Sequence, residues 1–143
     1  MAAQPASALP VVAPAETEAQ RLDRIVKNLA GKSIYFDYDD FTVKPEYQAL
    51  IKQDADLLRS AARLTVRLEG NADERGSVEY NLALGQKRAE AVKRALEMLG
   101  LPDARVEAVS YGKEKPRATC HEEKCWAENR RVDVIAKPAE ISQ

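Results

Sequence analysis

The sequence predicts an α/β fold, a two-layer sandwich in the order β-α-β-α-β-β with its helices on one face of the sheet. Three observations carry that prediction. Two short runs, SIYFDYDD and RLTVRLEG, alternate apolar and polar residues with the period of two that a half-buried strand requires. Two longer runs repeat apolar residues in steps of three and four, the period of a helix lying on a core. Strands and helices also alternate along the chain. Strands joined through a helix tend to run parallel with a right-handed crossover, which puts both helices on the same side.

In chain order, MAAQPASALPVVAPAETEAQ is rich in Ala, Pro and Ser and reads as an extended tether over residues 1–20, with the folded unit over 21–143 and its core over 33–137. TEAQRLDRIVKNLAGK then reads either as a short helix with Leu22, Ile25, Val26 and Leu29 on one side, stopped by Gly31, or as partly ordered linker. In SIYFDYDD, Ile34, Phe36 and Tyr38 fall on one face and Tyr35, Asp37 and Asp39 on the other. PEYQALIKQDADLLRSAA opens on Pro45, suited to a first helical turn, and carries Leu50, Leu57, Leu58 and Ala61 at helical spacing. In RLTVRLEG, Leu64, Val66 and Leu68 point inward. From Ser77 to Leu99 the pattern predicts one long helix, ended by Gly100. ARVEAVSYG and RRVDVIA supply the last two strands, with a loop holding both cysteines between them.

With 22 basic and 23 acidic residues the formal net charge is -1, so no overall field draws the chain to nucleic acid or to an anionic membrane. No run of roughly 18 apolar residues is present to span a bilayer. Cys120 and Cys125 can close a small disulfide loop in an oxidising compartment, or remain thiols. With His121 they also offer three of the four ligands a zinc ion needs, although adjacent Cys120 and His121 fit tetrahedral geometry poorly. No metal site and no cofactor is expected. Asp37, Asp39, Asp40, Asp73 and Glu74 contain enough carboxylates for acid and base work, but no partner completes an enzyme. The chain has no G-x-S-x-G, H-E-x-x-H, Walker or G-x-G-x-x-G motif.

The informative stretch is GNADERGSVEYN, which runs from a strand end into a helix start. Backbone N–H groups near Gly76, Ser77 and Val78 have no intrahelical acceptor there and sit at the positive end of the helix dipole. Structural roles compete with a binding role, since Ser77 can cap the helix and Gly76 can take a left-handed turn. Asp73 precedes the helix, and Asn81 and Arg88 share one of its faces. Gly85 lies between them and removes a side chain that would block an approach. An acid, an arginine and exposed N–H groups can hold a zwitterion, its ammonium on Asp73 and its carboxylate on Arg88. The competing reading is an internal Asp73–Arg88 salt bridge tying loop to helix.

Four separated blocks, IYFDYDDFTV, LEGNADERGSVEYNLALGQKRAEAV, VSYGKEKP and CWAENRRVDV, resemble the OmpA-like C-terminal domain family over about Ser33 to Lys137, and most closely its peptidoglycan-associated lipoprotein branch. The resemblance implies the OmpA-like sandwich, with helices packed on one face of a mixed sheet. It implies binding without cleavage of the peptidoglycan peptide stem through meso-diaminopimelate. It favours the clamp by Asp73 and Arg88 over the salt bridge, gives Phe36, Asp37 and Tyr38 as a wall, and gives Arg75, Gly76, Ser77 and Asn81 as the rim. Asn129 and Arg130 match a further block and read as structural.

Other implied properties are attachment to the periplasmic face of the outer membrane by an N-terminal lipid anchor, partnership with TolB and the Tol system, and support of envelope integrity and of outer-membrane constriction at cell division. A secretion or adhesion assembly that holds the same wall without TolB is the alternative host. The chain shows neither a signal peptide nor a lipobox cysteine, so anchoring rests on the resemblance alone.

Overall fold

The computed structural model describes residues 15–139. The expected tether lies mostly outside these residues, and its last members, 18–20, belong to a helix instead. That helix, α1 (Glu18–Ala30), is started by a reciprocal cap. The Thr17 hydroxyl accepts from the Gln20 N–H at 3.1 Å, and the Gln20 side chain accepts from the Thr17 N–H at 2.9 Å. Its apolar stripe, Leu22, Ile25 and Leu29, is buried in the core shared with the sheet.

Four strands form one sheet: β1 (Ile34–Tyr35), β2 (Leu64–Asn71), β3 (Val106–Gly112) and β4 (Arg131–Pro138), in the order β1-β4-β2-β3. β2 and β3 are parallel, while β4 is antiparallel to both of its neighbours, so the sheet is mixed. Two long helices, α2 (Gln48–Ser60) and α3 (Val78–Met98), complete the layer that α1 begins, and α4 (Glu123–Asn129) is a short helix in the cysteine loop. β1 and β2 point the same way, as their helical connection requires, but they are not neighbours because β4 lies between them.

One face of the sheet makes the core. Leu64, Val66 and Leu68 of β2 and Val132, Val134 and Ala136 of β4 pack with Ile51, Ala55 and Leu58 of α2 and with Ala89, Val92 and Leu96 of α3. Each large side chain buried this way contributes about 1.5–3 kcal/mol. On α2 the buried face is Ile51, Asp54, Ala55 and Leu58; Leu50 and Leu57 are only partly covered, so the stripe is turned from the one the leucines suggested.

The first strand is much shorter than its alternation predicts. Tyr38 is 60% exposed rather than on the inner face with Ile34 and Phe36. The chain leaves the sheet after Tyr35, and Asp39 takes a positive φ of 54°. The carbonyls of Asp37 and Asp40 turn toward Arg88, which holds this segment as a loop.

Gly85 also has a different role from the one its position suggested. It packs α3 directly on β2: a Cβ on Gly85 would meet Ser110 Oγ at 2.3 Å and the Gly70 carbonyl oxygen at 3.0 Å. A Cβ on Gly70 would meet the Gly85 carbonyl oxygen at 1.8 Å. This pair of glycines brings helix and strand into backbone contact beneath the cleft, and does not open a path to it.

Candidate functional site

The loops after β1 and β2, the start of α3 and the cysteine loop converge at one end of the sandwich. The first three form a cleft of about 60 Å³ lined by residues that include Tyr38, Asp73, Arg75, Gly76, Asn81 and Arg88, and the cysteine loop lies beside it. Ser77 starts α3 in extended conformation and its hydroxyl accepts from the Tyr80 N–H at 3.1 Å, so this serine caps the helix. Gly76 has φ of 100°, a left-handed conformation that an L side chain resists. Asn81, buried, donates to the carbonyls of Arg75 at 2.9 Å and Ser77 at 3.0 Å, which fixes the turn between β2 and α3.

Asp73 and Arg88 are both buried, at 4% and 0% exposure, and no ion pair joins them. The guanidinium of Arg88 donates instead to three carbonyls: Nε to Asp40 at 2.7 Å, Nη1 to Asn71 at 2.9 Å and Nη2 to Asp37 at 3.0 Å. Phe36, buried in the core, lies under it with the ring centroid 5.4 Å away. Burial, and then the nearby charge of Arg130, pull the Arg88 pKa down to about 10, which leaves it charged at neutral pH. Among the described residues, two of its five N–H groups keep no protein partner.

Asp73 is held by other arginines. Arg75 grips it as a fork, Nε to Oδ1 at 3.1 Å and Nη2 to Oδ2 at 2.8 Å, and adds its own backbone N–H to Oδ1 at 3.0 Å. Arg130 reaches Oδ2 at 3.5 Å and spends its fork on Glu123. Burial alone would raise the carboxyl of Asp73, but the hydrogen bonds from Arg75 outweigh it and hold the pKa below the ordinary value. Asp37, largely exposed, pairs with Lys44 at 2.8 Å and contributes its carbonyl to Arg88.

The cysteine loop supplies a wall that the sequence left undescribed. Cys120 and Cys125 are bonded to each other with their Cα atoms 5.5 Å apart. The loop presents Trp126, whose ring lies 4.0 Å from the Arg75 guanidinium; the ring of Tyr38 lies 4.1 Å from the same group. Trp126 Nε1 donates to Glu74 at 2.7 Å, and His121 Nδ1 meets the same carboxylate. Those two bonds, Trp126 first, lower the pKa of Glu74. His121 is thus turned to Glu74 and, among the described residues, no cluster of His, Cys, Asp and Glu is grouped to hold a metal ion.

Asn129 is structural, its Oδ1 accepting from the backbone of Arg117 and Ala118. Arg130 does more than its place in the sequence suggested, because it faces Asp73. The signal for this wall was the block C-x4-C-W-A-E-N-R-R; what the block does not disclose is that β4 starts beside β1, which carries Arg130 to the Phe36 carbonyl at 2.9 Å.

The sequence pattern of the OmpA family matches residues 35–130. A peptidoglycan-associated lipoprotein of Pseudomonas aeruginosa is 48% identical over 102 residues, which are 71% of this chain and 60% of that protein. The chain therefore spans about 60% of the length of that relative. The crystal structure of the peptidoglycan-associated lipoprotein from Burkholderia pseudomallei superimposes with a TM-score of 0.73 at 56% identity, covering 74% of this chain and 90% of that one. The C-terminal domain of Helicobacter pylori MotB gives 0.67 at 19% identity over 76% of this chain and 85% of its own, a likeness of fold alone.

Proposed function

This chain belongs to the OmpA family, and from that premise we propose that it is a non-catalytic module that binds peptidoglycan peptide stems by the zwitterionic head of meso-diaminopimelate. One observation carries the reading. Asp73 and Arg88, a buried carboxylate and a buried guanidinium with N–H groups to spare, line the same cleft at the start of α3. Ammonium on Asp73 and carboxylate on Arg88 would be two charge-assisted contacts to one zwitterionic head. Tyr38, Arg75, Gly76 and Asn81 border that head. Phe36, Asp37 and Ser77 act behind it, through core packing, a carbonyl and a helix cap.

As a part of an outer-membrane lipoprotein, the module ties that membrane to the wall from the periplasmic side, with the residues ahead of α1 as the tether. The names of its relatives, peptidoglycan-associated lipoproteins, support this role. TolB and the Tol system are the proposed partners, and envelope integrity and constriction at division the proposed setting. Each site binds modestly, because a small polar head offers little apolar area. Many anchored copies on one polymer add avidity.

Retention on purified sacculi tests the site. Asp73→Asn should abolish retention while the melting curve stays cooperative, and undiminished retention would sink the assignment. Co-purification with TolB tests the host system.

A further inference from the structure

The carboxylate that should receive the ligand's ammonium already has a cation on it. Arg75 makes a two-pronged contact with Asp73, and its guanidinium lies 4.1 and 4.0 Å from the ring centroids of Tyr38 and Trp126. Arg75 is itself one of the residues that line the cleft, so its guanidinium takes up space next to the Asp73 carboxylate. The backbone of Arg75 is fixed, since its carbonyl accepts from Asn81 and its N–H donates to Asp73. Its side chain is 32% exposed and held only by pairing and stacking, so it can swing outward without disturbing the turn.

We propose that Arg75 is a latch: its guanidinium occupies the ammonium position on Asp73, and a ligand binds by exchanging its own cation for it. The proposal rests on the clamp reading above and adds a source of selectivity. A lone amine must displace a forked guanidinium with one contact, and loses. A zwitterion brings a second contact, to Arg88, and can complete the exchange. The latch lowers the observed affinity by the fraction of time it is open, which is the ordinary penalty for binding to a minor conformer.

Trp126 reports on the latch directly, because it is the only tryptophan of the chain and touches Arg75. Titration of free meso-diaminopimelate into the whole chain, followed by calorimetry and by Trp126 emission, is the test. Wild type should show binding with a change in emission. Arg75→Gln should bind about five- to tenfold more tightly, the worth of one partly screened charge-assisted contact, and its emission should no longer respond. Arg75→Lys, which keeps the charge without the fork, should fall between. Equal or weaker binding by folded Arg75→Gln, with binding abolished by Asp73→Asn, would overturn the latch and leave the clamp standing. Binding retained by Asp73→Asn would overturn both.

Discussion

Arg88 Nη1 donates to the carbonyl of Asn71 at 2.9 Å, which ties the middle of α3 to the end of β2 beneath the cleft. With its bonds to Asp37 and Asp40, the same side chain anchors the loop that carries Tyr38. Arg88 is thus part of the scaffold as well as a candidate ligand contact. Arg88→Ala would strip three carbonyls of a charged donor and leave a cavity, a loss of about 3 kcal/mol or more. Denaturant unfolding should show it, and Arg88→Lys should recover only part because an ammonium cannot reach three acceptors from one plane. A midpoint unchanged in Arg88→Ala would contradict this role. Asp73 is consequently the cleaner residue for binding tests.

The Gly70–Gly85 contact predicts an asymmetric intolerance. Gly70→Ala places a Cβ against backbone that cannot yield, 1.8 Å from a carbonyl oxygen, and should cost about 3 kcal/mol or prevent folding. Gly31→Ala meets its nearest atom at an ordinary 3.4 Å and should be neutral within about 0.5 kcal/mol. Thermal melts of the two variants check the difference.

Asp54 is 2% exposed, and its Oδ1 has no hydrogen-bond partner among the described residues. Burial raises its carboxyl pKa to about 7, against a weaker opposing pull from Lys32. The folded state therefore holds this proton where the unfolded chain has lost it. Its contribution to stability is full below the ordinary value of 3.8 and is lost as pH rises to about 7, after which it is flat. Asp54→Asn should remove that slope and gain about 2–4 kcal/mol at pH 8. Unfolding midpoints at pH 5 and pH 8 decide it; parallel pH profiles for the two proteins would refute it.

Removing the disulfide with Cys120→Ser and Cys125→Ser should lower stability by about 2 kcal/mol, the loop-closure value for so short a ring. The core is made by other elements, so the domain should stay folded. The wall should loosen: Trp126 emission should shift to the red, and binding to sacculi should weaken. An unshifted spectrum would mean that Glu74 and Arg75 hold Trp126 without the disulfide.

What the sequence disclosed follows from period. β2 and α3 are long and regular, and they appear within a residue or two of the expected bounds. α4 has seven residues and no apolar stripe, so nothing marked it as a helix. The place of β4 between β1 and β2 is set by packing of whole elements, which no local pattern encodes. The chemistry divided in the same way. Asp73, Gly76, Asn81 and Arg88 were visible because one strand-to-helix turn carries or faces them all. The convergence of three carbonyls on Arg88, and of Arg75 and Arg130 on Asp73, depends on segments as distant as 57 residues, and it was hidden for that reason.

The position of β4 has a temporal consequence. A chain emerging from its N-terminus makes β1, α2, β2 and α3 before the strand that lies between β1 and β2 exists. The sheet closes only when residues past 130 arrive, and the same event delivers Arg130 to Asp73. Such distant pairing slows folding. It also makes the finished cleft a certificate of completeness, since a fragment ending before β4 has neither the strand that joins β1 to β2 nor the second arginine that faces Asp73, and should pass the wall without being held.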